Sequence, residues 1–473
     1  MSHEIRADYS QTMLFPPALE DWIPADHPAR FIREIVDQLD LKGMGFKVRE
    51  PEQEGRPNYA ADLLLKVWLY GYLERIRSSR RLEKACRQHV ALIWLTGMNY
   101  PDHNSLWRFW RDNREALKEV FLQTVKLAVR AGLVDMAMNA VDGTKITARA
   151  STHAVWNRTR LQKLEKRLEQ RVAEGMKEVD QAEGSESGEY RLPEELSNAL
   201  KLQETVREKL AEMAKQQREH MNPDEPEAQM MKNHDGTRLA YNAQVVADAK
   251  AGIIVAPEVT AEANDKLQLN PMLERVQENM GRVAEETTAD SGYFSGEQLA
   301  EAEKKGCEVL VNLEGVSPSE EEQGPYHTSR FVYDPERDCL VCPRGGVLTY
   351  ECTVCPSAKR YAQRRFRCVD FESCPVRWEC SKEDRGRSVK LSPYTEAIQR
   401  QHAKQKDPEK VHLLKQRMGV VEPVFARIKH HLDFRRWTMG GLDKVRAQWF
   451  FVCALTNLTI LYARWRENRL RLA

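Results

Sequence analysis

Three acidic residues stand in settings that could do phosphodiester chemistry. Asp142 lies in Met-Ala-Met-Asn-Ala-Val-Asp-Gly-Thr-Lys, Asp290 in Thr-Ala-Asp-Ser-Gly-Tyr-Phe, and Glu422 in Val-Val-Glu-Pro-Val-Phe-Ala-Arg-Ile-Lys. The first two each end a short stretch that reads as a strand and are followed at once by Gly or Ser-Gly. The third opens a helix-like segment that carries Lys429 seven residues on, on the same face. Carboxylates are hard oxygen ligands that hold Mg²⁺ through one or two contacts each and leave positions open for water and phosphate. Two strand ends and a helix delivering them is what a two-metal phosphodiester site needs. Singly, each acid has a bland reading: a turn Asp, or a Glu that complements the dipole at a helix start.

Sulfur is the second chemistry. Seven of the ten cysteines fall between 339 and 380. Cys339-x₂-Cys342 and Cys352-x₂-Cys355, with Pro and Gly beside them, have the spacing of a tetrahedral structural zinc site. Cys368, Cys374 and Cys380 follow at wider intervals. The alternative is burial as small hydrophobes, the reading for Cys86, Cys307 and Cys453.

The elements that must position these groups follow from periodicity. Helix signals run from Pro28 to Leu41 and from Pro57 to about Leu133, the latter with apolar faces at Leu63, Leu64, Val67 and Trp68 and with cap residues at 102–105. Short helices with a basic cluster, Arg75, Arg77, Arg80 and Arg81, fit a helix-turn-helix-like DNA-binding domain or a packing domain with solvated arginines. A strand from Ala137 delivers Asp142. Trp156 to Val179 and Leu196 to Met213 then repeat apolar residues at helical spacing around Gly184-Ser-Glu-Ser-Gly188, predicting an inserted two-helix hairpin. Strands near 239–248 and 252–260, a helix over 264–280, a strand ending at Asp290, a helix from Phe294 and a strand from Glu308 give an alternating α/β core. The division is 1–135 helical DNA-binding, 136–155 start of the core, 156–220 hairpin, 221–315 core, 316–392 cysteine-rich insert and 393–473 C-terminal helices of the core. The fold class is α+β multidomain.

These residues resemble the DDE transposases of bacterial insertion sequences. The likeness extends to Tyr-Gly-Tyr-Leu-Glu-Arg-Ile-Arg-Ser-Ser-Arg-Arg-Leu-Glu-Lys-Ala-Cys at 70–86, Pro-Glu-Ala-Gln-Met-Met-Lys at 226–232, Tyr-Asn-Ala-Gln at 241–244 and Asn-Asp-Lys-Leu-Gln-Leu-Asn-Pro at 264–271. It also takes in Arg-Arg-Trp-Thr-Met-Gly-Gly-Leu-Asp-Lys-Val-Arg from 435 and Ala-Leu-Thr-Asn-Leu at 454–458. The resemblance implies a ribonuclease H-like core and an enzyme that binds inverted-repeat ends, hydrolyses DNA to free a 3′-hydroxyl and joins it to target DNA. It implies two Mg²⁺ (or Mn²⁺) ions per site on Asp142, Asp290 and Glu422, and a homo-oligomer on double-stranded DNA. Lys429 would contact phosphate. A basic residue precedes the Glu in the related pattern; Arg417 is the nearest candidate here, although the strict spacing falls on Met418. The related pattern also implies an alternative Zn²⁺ set of Cys342, Cys368, Cys374 and Cys380, which would leave Cys352 and Cys355 spare.

Composition adds limits. Lys and Arg number 72 against 71 Asp and Glu, so any nucleic-acid footprint must be local rather than global. The chain opens Met-Ser-His-Glu-Ile-Arg without an apolar leader, and Trp449 to Tyr462 is too short to span a bilayer. The expectation is a cytoplasmic protein, nucleoid-associated when bound, without a membrane partner. A catalytically silent DNA-binding regulator or domesticated transposase is the alternative. A zinc hydrolase fits poorly, because the thiolates lack a nearby His and Glu pairing.

Overall fold

The structure is a computed structural model that describes residues 18–48, 58–183, 194–215, 218–233, 236–313, 324–355 and 361–467. The glycine-bounded turn read at 184–188 lies outside the described residues.

The N-terminal part is helical, as its periodicity requires: α1 (Pro28–Asp37), α2 (Ala61–Leu73), α3 (Ser79–Gln88), α4 (Val90–Leu95), α5 (His103–Asp112) and α6 (Arg114–Arg130). Asp102 caps α5 by accepting from the Asn104 and Ser105 amides at 2.9 and 3.0 Å, which satisfies two of the orphan donors of the first turn. Where α2 crosses α3, Gly71 is required: a Cβ there would run into the Leu82 side chain.

The core sheet comprises β1 (Met138–Thr147), β2 (Gln229–Asn233), β3 (Gly236–Asp248), β4 (Ile253–Thr260), β5 (Glu286–Ala289) and β6 (Val309–Val311). β1 lies between β3, antiparallel, and β5, parallel; β6 continues parallel beyond β5. On the outer edge of β3, β2 pairs with its first half and β4 with its second. Helices α9 (Leu269–Met280) and α10 (Gly296–Lys304) supply the parallel crossovers. The helix expected over 264–280 begins only at Leu269, because the preceding residues serve as a turn that places Asp265. α9 ends at Gly281, which takes the left-handed conformation, φ 74°.

Two units interrupt this chain. α7 (Arg158–Glu183) and α8 (Glu194–Lys215) form the hairpin around their own small core of Leu161, Leu168, Ala199, Val206 and Met213. The cysteine-rich segment folds as a five-stranded antiparallel meander: β7 (Val332–Asp334), β8 (Cys339–Val341), β9 (Val347–Val354), β10 (Gln363–Cys368) and β11 (Ser388–Leu391). Phe331, Leu340, Leu348, Phe366 and Val389 fill it.

The chain closes with α11 (Thr395–Lys404), α12 (Pro408–Ala426) and α13 (Leu442–Arg466). Almost every residue of α13 from Val445 to Leu461 is buried, so its apolar composition reflects a helix enclosed on all sides. Its polar Asn457 is paired. Oδ1 accepts from the Ile254 amide at 2.8 Å, and Nδ2 donates to the Ile254 carbonyl and to Thr124 Oγ1. That residue therefore saturates β4 at an irregularity in its pairing with β3, where an orphaned backbone group would cost about 1–3 kcal/mol. The N-terminal helices, the sheet and α13 share one continuous core: Phe451 packs edge-on against Tyr72 and Trp110, and Phe450 against Phe121. No described helix is long and apolar enough to cross a membrane.

Candidate active site

Asp142 lies in the middle of β1, opposite Val245, rather than at the strand's end. Gly143 does not break the strand. It faces Gln244, whose side-chain amide fills the space a Cβ would need, so this glycine allows a close approach instead of a turn. Asp290 does end its strand, and its Oδ1 accepts from the Gly292 amide at 2.9 Å. The parallel register pairs Ala140 with Thr288. Asp142 and Asp290 each follow that pair by two residues, on neighbouring strands. Their charges are felt: burial chiefly, and Asp290 in addition, push the Asp142 carboxyl above the ordinary carboxylate range, while Arg417 pulls it back.

Glu422 is not a helix opener. It sits deep in α12, with Pro423 inside the helix rather than at its first turn. Beyond Ala426 the chain widens into a π-helical turn, Arg427–His431, so Lys429 does not keep the straight seven-residue relation to Glu422. α12 packs across β1, β3 and β5. Its Arg417 Nη1 reaches Asp142 Oδ2 at 3.2 Å and the Val141 carbonyl at 3.5 Å. Glu422 follows five residues later, about 140° around the helix from Arg417, and its side chain is exposed. Arg417 thus joins Asp142 directly, whereas Glu422 is carried to the neighbourhood on the same helix without touching the two aspartates. Among the described residues, no group of three or more His, Cys, Asp or Glu side chains stands at metal-ligating geometry.

Sequence reasoning missed the polar floor beneath this pair. Asp265 accepts from Lys145 Nζ at 2.8 and 2.9 Å, from Asn242 Nδ2 at 2.6 Å and from Gln244 Nε2 at 2.7 Å. Gln244 Oε1 in turn accepts from the fully buried Tyr293 hydroxyl. Burial first, then the charges of Asp265, Asp142 and Asp290, hold that phenol well above its ordinary pKa. A visible signal existed: Asn242 and Gln244 are polar residues at alternate positions of an otherwise apolar strand, where such groups need partners.

Two family models match the chain: a transposase DDE domain over residues 341–462 and a transposase domain over residues 17–112. The chain belongs with the DDE transposases of insertion sequences. The first match takes in Arg417, Glu422 and Lys429 and stops short of Asp142 and Asp290; the second takes in the arginine cluster. No curated protein matches the chain.

In this transposase the four clustered arginines divide into two pairs. Arg75 donates to the carbonyls of His430 and His431 at 3.1 Å. Arg77 donates to the Leu432 carbonyl and lies over the Phe434 ring at 5.3 Å. Both therefore brace the turn that follows α12. Arg80 and Arg81 are exposed on the first turn of α3.

The cysteines divide as well. Cys342 and Cys368 leave the meander at the Val347 end of β9, through the pairings Val341 with Val347 and Cys368 with Leu348. Cys374 and Cys380 join them there: beyond the effect of burial, the Cys368 thiol is raised by Cys374, Cys342 and Cys380. The Gly346 amide donates to Cys342 Sγ at 3.2 Å. Cys352 and exposed Cys355 lie at the opposite end of β9, and Cys339 is buried within the sheet. The structure thus brings Cys342, Cys374 and Cys380 near enough to Cys368 to act on its thiol, though not to metal-ligating geometry, and leaves Cys352 and Cys355 at the other end of β9.

Proposed function

We propose that this transposase cuts DNA at transposon ends and transfers the freed strand, using the site floored by Asp142 and Asp290. The observation that supports this reading is that the parallel strands β1 and β5 carry Asp142 and Asp290 close enough for their charges to interact, with Arg417 of α12 against Asp142. The strand order β4-β3-β1-β5-β6, with antiparallel pairing on one side of β1 and parallel pairing on the other, supports a ribonuclease H-like core. The division into DNA-binding helices, interrupted core and inserts belongs to the same proposal.

Asp142, Asp290 and Glu422 are the residues that would hold divalent ions, Mg²⁺ or Mn²⁺, since carboxylates are the hard oxygen donors such ions take, and Glu422 would have to swing inward to join the two aspartates. Bound ions supply a water nucleophile at neutral pH and charge compensation for the leaving oxygen. The chain's own groups do the rest. Tyr293, Gln244 and Asp265 fix the strand positions from below. Arg417 neutralises Asp142 between turnovers and can turn to a phosphate oxygen, and Lys429 adds a further cation. Water would break the phosphodiester and leave a 3′-hydroxyl on the transposon end; that oxygen would then bond to a target phosphorus, and the target strand's 3′-oxygen would leave as a free 3′-hydroxyl. Cys342, Cys368, Cys374 and Cys380 are the thiols that would hold one structural Zn²⁺, and such a site would close the small meander and leave no position for chemistry.

The test is cleavage of the DNA flanking the coding region with Mg²⁺. Asp142→Asn, Asp290→Asn and Glu422→Gln keep size and shape, so folding and DNA binding should survive. Cleavage should fall by at least about two orders of magnitude in each, the scale of losing one electrostatic stabiliser. Near-normal cutting by Glu422→Gln would remove that residue from the site. Binding without any metal-dependent cut by the unaltered chain would leave a silent DNA-binding regulator.

A further inference from the structure

Between the N-terminal helices and the start of α13 lies a cleft of about 490 Å³, lined by Arg81, Arg149, Lys444 and Trp107 together with the braced Arg75 and Arg77. Arg81, Arg149 and Lys444 are exposed. Among the described residues they make no side-chain hydrogen bond or ion pair, unlike Arg75 and Arg77. Trp107 is 42% exposed, an unusual position for so large an apolar ring. These cations come from three distant stretches of sequence, brought together by one piece of architecture. Arg436 donates to the carbonyls of Ala148 and Arg149, and Trp437 to those of Ile146 and Thr147. The segment leading into α13 is thereby fastened to the end of β1. A Cβ on Gly440 would stand 3.2 Å from the Glu225 carboxyl and 3.3 Å from Arg149 Nε, so these side chains close tightly on the glycine. The first turns of α3 and α13 also open here, through Ser79 and Gly440, and add partial positive charge.

We infer that this cleft is a binding site for the phosphodiester backbone of a DNA strand, with Trp107 as an apolar wall against its sugars or bases. The inference rests on the reading of the chain as a DNA-cutting enzyme and adds where the strand runs. Like charges gathered in a cleft are costly unless an anion joins them. A backbone supplies anions every 3.4 Å along each strand. Arg149 follows Asp142 by seven residues, so the cleft lies at most about 24 Å from the candidate cutting site. A strand engaged in both places spans about seven phosphates. This gives Arg149 and Lys444, which sequence reading passed over, a role equal to that of Arg81.

The experiment uses the full chain and a 30-base-pair duplex of random sequence, since backbone contacts are independent of sequence. Affinity is measured from 50 to 200 mM NaCl for the unaltered chain and for the triple variant Arg81→Gln, Arg149→Gln, Lys444→Gln. Losing three phosphate contacts should flatten the log–log salt slope by about 2.7, so the fourfold rise in salt should cost the unaltered chain about forty-fold more than the variant. A matched triple on the hairpin, Lys163→Gln, Lys166→Gln, Arg167→Gln, should leave the slope unchanged. Trp107→Ala should weaken binding with the slope intact. An unchanged slope in the cleft variant, or an equal fall in the hairpin control, would overturn the assignment. Failure of the unaltered chain to bind duplex at all would instead overturn the wider functional reading.

Discussion

Arg417 occupies the place a divalent ion would contest, and replacing it should therefore strengthen ion binding while weakening catalysis. Its Nη1 stands 3.2 Å from Asp142 Oδ2, and the two side chains are only 13% and 20% exposed. Coulomb's law at that separation gives about 5 kcal/mol at an effective dielectric constant of 20 and about 1.3 kcal/mol in bulk water. With one side of the site open, about 2 kcal/mol is the reasonable middle, equivalent to about thirty-fold in an equilibrium constant. Arg417→Gln removes both this competing contact and the repulsion between guanidinium and ion. Calorimetric titration of Mn²⁺ into DNA-free protein at pH 8 should then show binding tighter by roughly that factor, while DNA cleavage falls. The pH dependence has a definite sign. Burial and Asp290 already hold Asp142 above the ordinary carboxylate range, and Arg417 opposes them. Without the arginine the carboxyl keeps its proton to higher pH, so the variant's advantage should shrink as the solution is acidified. Unchanged or weaker ion affinity at pH 8 would refute the reasoning, because it would mean that the guanidinium and the ion do not compete for Asp142.

Two further outcomes are expected. Elemental analysis of protein purified without added metal should find about one zinc per chain, lost in Cys374→Ser or Cys380→Ser and retained in Cys352→Ser or Cys355→Ser; the reverse pattern would restore the paired Cys-x₂-Cys set. Asp248 is fully buried, accepts from the amides of Met136 and Lys250, and has its carboxyl raised by that burial. A raised carboxyl favours the folded state below its ordinary pKa and loses that contribution as pH climbs through the folded value. The melting temperature of Asp248→Asn, measured against that of the unaltered chain, should accordingly become less favourable as pH falls from 7 to 4; a difference that does not move with pH would contradict it.

The sequence was most readable where one physical rule acted alone. Periodicity placed α2 to α6, the hairpin and α13, because each buries a continuous apolar face or, in α13, all of its faces. Asp290 was recognised at a strand end for the same reason. Asp142 and Glu422 were misplaced within their elements because Gly143 and Pro423 read as punctuation. The structure uses Gly143 for room beside Gln244 and accommodates Pro423 within a long helix that loosens into a π turn. The Asp265 network, the two duties of the arginine cluster and the cleft with Arg149 and Lys444 depend on contacts between residues hundreds of positions apart, which no local pattern records. The neighbourhood of Cys342 and Cys368 likewise depends on strand register, since both border the same end of β9.

The shared core of α6 and α13 also sets a clock on how this protein is made. α6 ends at Arg130 and α13 begins at Leu442. At synthesis rates of 5–20 residues per second, the roughly 310 residues between them take about 15–60 s to emerge. Throughout that interval Phe121, Tyr72 and Trp110 lack Phe450 and Phe451, and β4 lacks Asn457. The N-terminal helices therefore wait with an apolar face uncovered, a state in which they can aggregate or engage chaperones. The site on β1 reaches its final packing only once almost the whole chain has left the ribosome.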